Sequence, residues 1–245
     1  MAGAANPRQT AVVLVSGGMD SCVTAAMARA AGHQLAMLHA SYGQRTARRE
    51  LEAFRAIADF YEVPPGARLV VRLEALAAIG GSALTDQRIA VPESPALLPP
   101  AGRQDAGGRS IPVTYVPFRN THLLAAAVSW AEVLGAGSVW IGAVAEDSSG
   151  YPDCRPEYYQ AFRELVRVGA KPETRIEVVT PVIGMSKTEI VRQGIELGAP
   201  LHLTWSCYQN EQVACGACES CLLRLRAFQQ AGRPDPIAYR ARVER

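Results

Sequence analysis

The run Thr10 to Val15, TAVVLV, constrains this 245-residue chain most: it is a strand with no polar face, broken at once by Ser16-Gly17-Gly18 and followed by the alanine-rich stretch Ser21 to Ala31. A strand apolar on both faces needs covering layers on both sides, which is the situation of a parallel sheet flanked by helices. Strand, glycine loop and helix then recur as a theme. Gly32 ends the first helix, Gln34 to His39 reads as a second strand, Thr46 to Phe60 as a helix and Ala67 to Val71 as a third strand. Pro92, Pro95, Pro99, Pro100, Gly102, Gly107 and Gly108 then punctuate a long loop over about 80–112.

Alternation resumes with a helix from Asn120, taken as its cap, to Leu134, and a strand from Ser138 to Ile141. Helix Glu157 to Val168 and strand Arg175 to Val179 follow, then helix Ser186 to Leu197 with Ser186 and Glu189 as a capping box. Five strands with helical crossovers predict an α/β fold, a doubly wound and mostly parallel sheet whose ligands bind beyond the strands' carboxyl ends. Residues 1–200 read as this nucleotide-binding domain and 201–245 as a small metal-clipped segment packed on it.

Composition limits the partners. Twenty-five Lys+Arg against 23 Asp+Glu give a formal charge of +2, with no basic arm for a phosphate backbone, so no nucleic-acid partner is expected. The start MAGAANPRQT lacks an apolar signal core and no run is long enough to span a bilayer; the expectation is a cytoplasmic protein without a membrane partner.

Ser16-Gly17-Gly18-Met19-Asp20-Ser21 lies where backbone amides and a helix dipole favour phosphate, and two glycines allow close approach. Without a lysine it is neither a P-loop nor a dinucleotide fingerprint. A tight strand-to-helix turn with Ser21 as cap is the plain alternative. Asp20, a carboxylate beside phosphates, calls for Mg²⁺ nearby or fixes the loop. Cys207, Cys215, Cys218 and Cys221 offer four thiolates within fifteen residues, the pattern of a closed structural Zn²⁺ site, with an iron–sulfur cluster as the rival. Cys22 reads as core. Cys154 has no histidine near it in sequence, which speaks against a nucleophile, and His33, His39, His122 and His202 show no metal-site spacing.

The SGGMDS loop resembles the PP-loop of the ATP pyrophosphatase superfamily. With Tyr42-Gly43-Gln44-Arg45 and Glu50, Gly81 to Thr85, Tyr115 to Thr121, Glu146 to Pro156, Ser186 to Ile190, and Leu203 to Tyr208 before the cysteines, nearly the whole chain resembles the 7-cyano-7-deazaguanine synthases of queuosine biosynthesis. Phe118 departs from that pattern, where a small residue is expected. The resemblance implies an ATP-dependent ligase that makes a nitrile from 7-carboxy-7-deazaguanine and ammonia, through an acyl-adenylate and an amide, with Mg²⁺ and structural Zn²⁺, and it leaves room for a homodimer. It implies ATP contacts at Val15, Ser16, Gly17, Gly18, Met19, Asp20, Ser21, Cys22, Val23 and Thr24, and catalytic roles for Asp20, Lys187 and Arg119. Substrate contacts are expected at Tyr42, Arg45, Asn120, Glu146, Asp147, Asp153 and Arg155, one of the acidic residues reading the guanine-like edge. Two alternatives remain open on the sequence: an RNA-base thiolating enzyme of the same superfamily, and a zinc-ribbon adaptor without activity.

Overall fold

The computed structural model describes residues 9–93, 111–145 and 150–240. Strands β1 (Thr10–Leu14), β2 (Gln34–Ser41), β3 (Arg68–Arg72), β4 (Ser138–Ile141) and β5 (Glu177–Val179) form one sheet in the order β3-β2-β1-β4-β5, every pair parallel. β1 is central. Its side chains alternate between two cores: Ala11, Val13 and Val15 enter one, while Val12 and Leu14 enter the other. Helices α1 (Met19–Ala30) and α2 (Ala47–Phe60) close the first core through residues such as Cys22, Phe54 and Ile57, and the short α3 (Glu74–Ile79) follows β3. Helices α4 (Arg119–Leu134) and α5 (Pro156–Gly169) close the second through Leu124, Ala127, Tyr159 and Phe162. The winding therefore changes face between β3 and β4, and the crevice of such sheets opens at the carboxyl ends of β1 and β4.

Two expectations at helix starts need correction. α1 begins at Met19 rather than Ser21, with Gly18 as its N-cap. α4 begins at Arg119, capped by Phe118 in the left-handed region (φ 59°), so Asn120 lies inside the first turn. The capping carboxylate comes from elsewhere: Asp153 Oδ2 accepts from Asn120 N at 2.9 Å. Sequence periodicity cannot see a cap supplied from 33 residues away.

Beyond β5, α6 (Lys187–Glu196) has the expected capping box, with Glu189 N donating to Ser186 Oγ and Ser186 N to Glu189 Oε2. It packs tightly on α1: a Cβ at Gly194 would lie 2.7 Å from Val23 Cγ2. The final helix, α7 (Glu219–Gln230), packs Ala227 and Phe228 into the same cluster as Met19, Val23 and Ile190. Residues 201–240 are pinned by Arg224, 1% exposed, whose Nε and Nη2 donate to the two oxygens of Asp235 at 2.9 and 3.0 Å. Its remaining hydrogens go to Thr204 Oγ1, Ser206 Oγ and the Leu201 carbonyl, so the buried charge is fully engaged. Removing one partner of such a pair leaves the other buried and uncompensated, at about 3–5 kcal/mol. Asp235→Ala should therefore lower the unfolding free energy by about that amount, measured as a drop in the urea midpoint with unchanged m-value.

Candidate active site

The crevice at the ends of β1 and β4 is built by close backbone approach. Gly17 has φ +92°, and a Cβ there would fall 2.5 Å from the Glu50 carbonyl oxygen of α2. Just after β4, a Cβ on Gly142 would lie 2.8 Å from the Asp20 carbonyl carbon and oxygen. These two glycines let the start of α1 settle between α2 and β4. Its N-cap, Gly18, supplies no side chain, so the first-turn amides of Met19, Asp20 and Ser21 lack the usual side-chain acceptor. The loop is instead braced from within: Ser16 N donates to Ser21 Oγ at 3.2 Å, Gly18 N to Ser16 Oγ at 3.2 Å, and Ser21 Oγ to the Gly18 carbonyl at 3.0 Å. Amides at a rigid, uncapped helix start suit an anion. Val15, Ser16, Gly18, Met19, Asp20 and Ser21 line the cleft, whereas Cys22, Val23 and Thr24 are buried in α1 behind it. Burial pushes the Cys22 thiol up to about 12.

The capping box at Ser186 sets Lys187 at the first position of α6, and its Nζ lies 2.6 Å from Asp20 Oδ2. The second oxygen, Asp20 Oδ1, is enclosed and accepts no hydrogen bond. A carboxylate oxygen without a donor, at the mouth of an anion loop, suits a hard cation.

Arg119 stands on the opposite wall. Its Nη1 donates to Tyr42 Oη at 3.1 Å and its guanidinium lies 5.6 Å from the Tyr42 ring centre and 6.0 Å from that of Tyr151. Its Nε is enclosed without an acceptor, and no carboxylate among the described residues pairs with it. Burial works against the charge, but Tyr42, Tyr151 and Asp153 together hold Arg119 protonated, above its ordinary value. Such a cation is ready for an anionic ligand.

The other expected substrate residues divide. Tyr42, Arg45 and Asn120 line the cleft. Arg45 is also a strut for the segment after α3, donating to the carbonyls of Ala83, Asp86 and Ile89 at 2.6–2.9 Å. Asn120 Nδ2 donates to the Asp153 carbonyl at 2.8 Å. Asp153 lies behind it, 2% exposed, its carboxyl raised chiefly by burial, with Oδ1 left without a donor. Arg155 caps α5 and is not among the lining residues. Glu146 and Asp147 lie outside the described residues. Cys154 reaches the cleft, yet burial and the neighbouring Asp153 push its thiol up to about 11, so it is protonated at neutral pH and a poor nucleophile.

The C-terminal segment forms the remaining wall with Trp205, Ser206, Tyr208 and Glu219, while Arg224 closes its base. Trp205 N donates to the Gly17 carbonyl at 2.8 Å, and the Arg49 guanidinium lies 4.8 Å from the Trp205 ring centre. Gly142 and Arg224 carry no motif of their own and were not singled out in the sequence; a glycine directly after a predicted strand is the one signal by which the first could be found.

Two residues from Trp205, Cys207 meets Cys215, Cys218 and Cys221, with all four sulfurs within 4.8 Å of one another. Cys215 Sγ and Cys221 Sγ are 3.8 Å apart, the edge of a tetrahedron whose metal–sulfur bonds are about 2.3 Å. Cys207 Sγ accepts from the amides of Gln209, Asn210 and Cys215, and Cys215 Sγ from those of Ala217 and Cys218, which suits thiolates. The donor set fits a closed metal site.

A family model described as queuosine biosynthesis protein QueC matches residues 10–232. The 7-cyano-7-deazaguanine synthase of Chlorobium phaeobacteroides is 56% identical over 234 residues, covering 96% of this chain and 98% of that protein. The protein of the same name from Koribacter versatilis is 57% identical over 235 residues, covering 95% and 94%. The crystal structure of a 4-thiouridine synthetase–RNA complex with bound ATP is 20% identical and covers 91% of this chain and 50% of that one, at a TM-score of 0.47, too loose to bear on function.

A closed thiolate site contributes folding free energy rather than chemistry. Cys215→Ser should lower bound metal and thermal stability together, checked by elemental analysis alongside a melting curve; unchanged values for both would remove the assignment.

Proposed function

Since the chain belongs to the QueC family of queuosine biosynthesis proteins, we propose that it is an ATP-dependent ligase converting 7-carboxy-7-deazaguanine and ammonia to 7-cyano-7-deazaguanine, the product its relatives are named for. The observation that carries the chemistry is one cleft holding an uncapped helix start, the Asp20–Lys187 pair and, across from them, Arg119, which no carboxylate among the described residues pairs with.

A carboxylate is a poor acyl donor, so its oxygen first attacks the α-phosphorus of ATP and pyrophosphate leaves. The amides of the Ser16 to Ser21 loop and Lys187 take up the developing charge of the leaving group. Asp20, through the oxygen that Lys187 does not occupy, would hold Mg²⁺ here; when bound, that ion neutralises polyphosphate charge. Arg119 orients the substrate carboxylate. Ammonia attacks the acyl carbon, the bond to the adenylate oxygen breaks, and AMP leaves behind an amide.

The amide oxygen then attacks the α-phosphorus of a second ATP from nearly the same place, pyrophosphate leaves, and loss of AMP with both N–H protons gives the nitrile. Tyr42, Arg45 and Asn120, with Glu146 and Asp147, are the proposed surroundings of the deazaguanine ring, with Asp153 and Arg155 supporting them from outside the lining. The four cysteines would hold Zn²⁺ rather than an iron–sulfur cluster, giving a colourless protein; their convergence on one point leaves none of the four to carry sulfur to a nucleic-acid base. Work in the cytoplasm, where thiols stay reduced, is part of the same proposal.

Mass spectrometry of products from ATP, ammonium and 7-carboxy-7-deazaguanine tests the reading directly. Supplied alone with ATP, the amide should become nitrile, and ¹⁸O placed in it should appear in AMP; label in bulk water with unlabelled AMP would rule out the twice-used site. Asp20→Asn should lower turnover by at least about 100-fold with little change in melting temperature, because it removes charge from the transition state rather than bulk from the core.

A further inference from the structure

We infer that Glu50 is the group that receives ammonium in this cleft and removes its proton, making Glu50 a catalytic residue of the amide-forming step. The inference rests on the ligase reading above. At neutral pH the nitrogen donor is mostly a cation without a lone pair, so a site that uses it must both bind a small cation and take one proton from it.

Three carboxylates among the described residues line the cleft: Asp20, Glu50 and Glu219. Asp20 is committed to Lys187. Glu219 starts α7 beside Cys218 and feels Lys187, on the phosphate side. Glu50 is held by two neutral donors, Thr46 Oγ1 to Oε1 at 2.6 Å and Gln44 Nε2 to Oε2 at 3.0 Å, and no Lys or Arg among the described residues forms an ion pair with it. Each oxygen keeps a lone pair. Gln44 Oε1 is in turn fixed by Tyr42 N at 2.8 Å, so the carboxylate is presented rigidly.

The electrostatic setting agrees. Glu50 is raised from its ordinary value, chiefly by burial; Thr46 and Gln44 oppose this, as does the positive charge of Arg119, while Glu211 on the outer side raises it further. Arg119 and Tyr42 are the other ionisable groups on its cleft side. A carboxylate with a raised value is a better proton acceptor for ammonium than one in water. It also stands near Arg119, the residue proposed to orient the carboxylate that becomes the acyl group.

The step balances as follows. A proton passes from ammonium to a Glu50 oxygen; the freed lone pair forms the C–N bond at the acyl carbon. The bond from that carbon to the adenylate oxygen breaks and AMP departs with its electron pair. The second nitrogen proton and the one on Glu50 pass to solvent.

Glu50→Gln is the test, because its amide can still meet Thr46 and Gln44 through hydroxyl rotation and its own oxygen. Three readouts separate the outcomes: carboxylate-dependent ATP–pyrophosphate exchange, amide formation from ammonium, and hydroxamate formation from hydroxylamine, a nucleophile already neutral at pH 7.5. E50Q should keep exchange and hydroxylamine turnover within a few-fold of the unaltered protein, lose about 100-fold or more in kcat/KM for ammonium, and recover as rising pH supplies free ammonia. Unchanged ammonium turnover overturns the inference, and so does loss of all three activities, which would make Glu50 a strut. Absence of exchange in the unaltered protein overturns the ligase reading itself.

Discussion

The site depends on how closely the backbone at the start of α1 can approach its neighbours. Gly17 on the α2 side and Gly142 on the β4 side each occupy a place where a methyl group would collide with main-chain atoms. Main chain cannot move aside as a flexible side chain can, so these positions fix the distance between the anion loop and the sheet's central crevice. Everything else is referred to that frame: Lys187 through the α1–α6 contact at Gly194, Arg119 through the α4 start beside β4, and Glu50 because its own carbonyl lies against Gly17.

Much of the fold was legible because burial on both faces leaves a plain signature. The five strand positions expected from apolar runs match the five strands within a few residues, since a strand covered on both sides cannot tolerate polar alternation. Ser186 and Glu189 showed their capping box because its partners are three residues apart. What escaped was non-local. The Asp153 carboxylate that caps α4, the Arg224–Asp235 pair and the strut made by Arg45 join residues 33, 11 and 38–44 positions apart by chemistry that no period encodes. α3 and α7 also went unread, the first because six residues are too few to show a period.

The candidate site was legible to the same degree and for the same reason. The glycine loop after β1 and the cysteine set are local, so both showed in the sequence, the loop by its place between strand and helix and the cysteines by their spacing. The cleft walls come from separate segments spread from Leu14 to Arg224, and lining can be assigned only after they are folded together. Glu50 illustrates the gap: in sequence it is one acid on an amphipathic helix among Arg48, Arg49 and Glu52, which form exposed pairs, while its own side chain turns inward to Thr46 and Gln44.

The hydrogen bond from Trp205 N to the Gly17 carbonyl joins the thiolate cluster to the anion loop with only Ser206 between Trp205 and Cys207. Two ligands that order one shared stretch of backbone are thermodynamically linked: whatever factor metal occupancy contributes to nucleotide affinity, bound nucleotide returns to metal affinity. The cysteine cluster is therefore more than a staple for the last forty residues. If that factor is favourable, a cell short of metal would retain it longest in those molecules that have nucleotide bound.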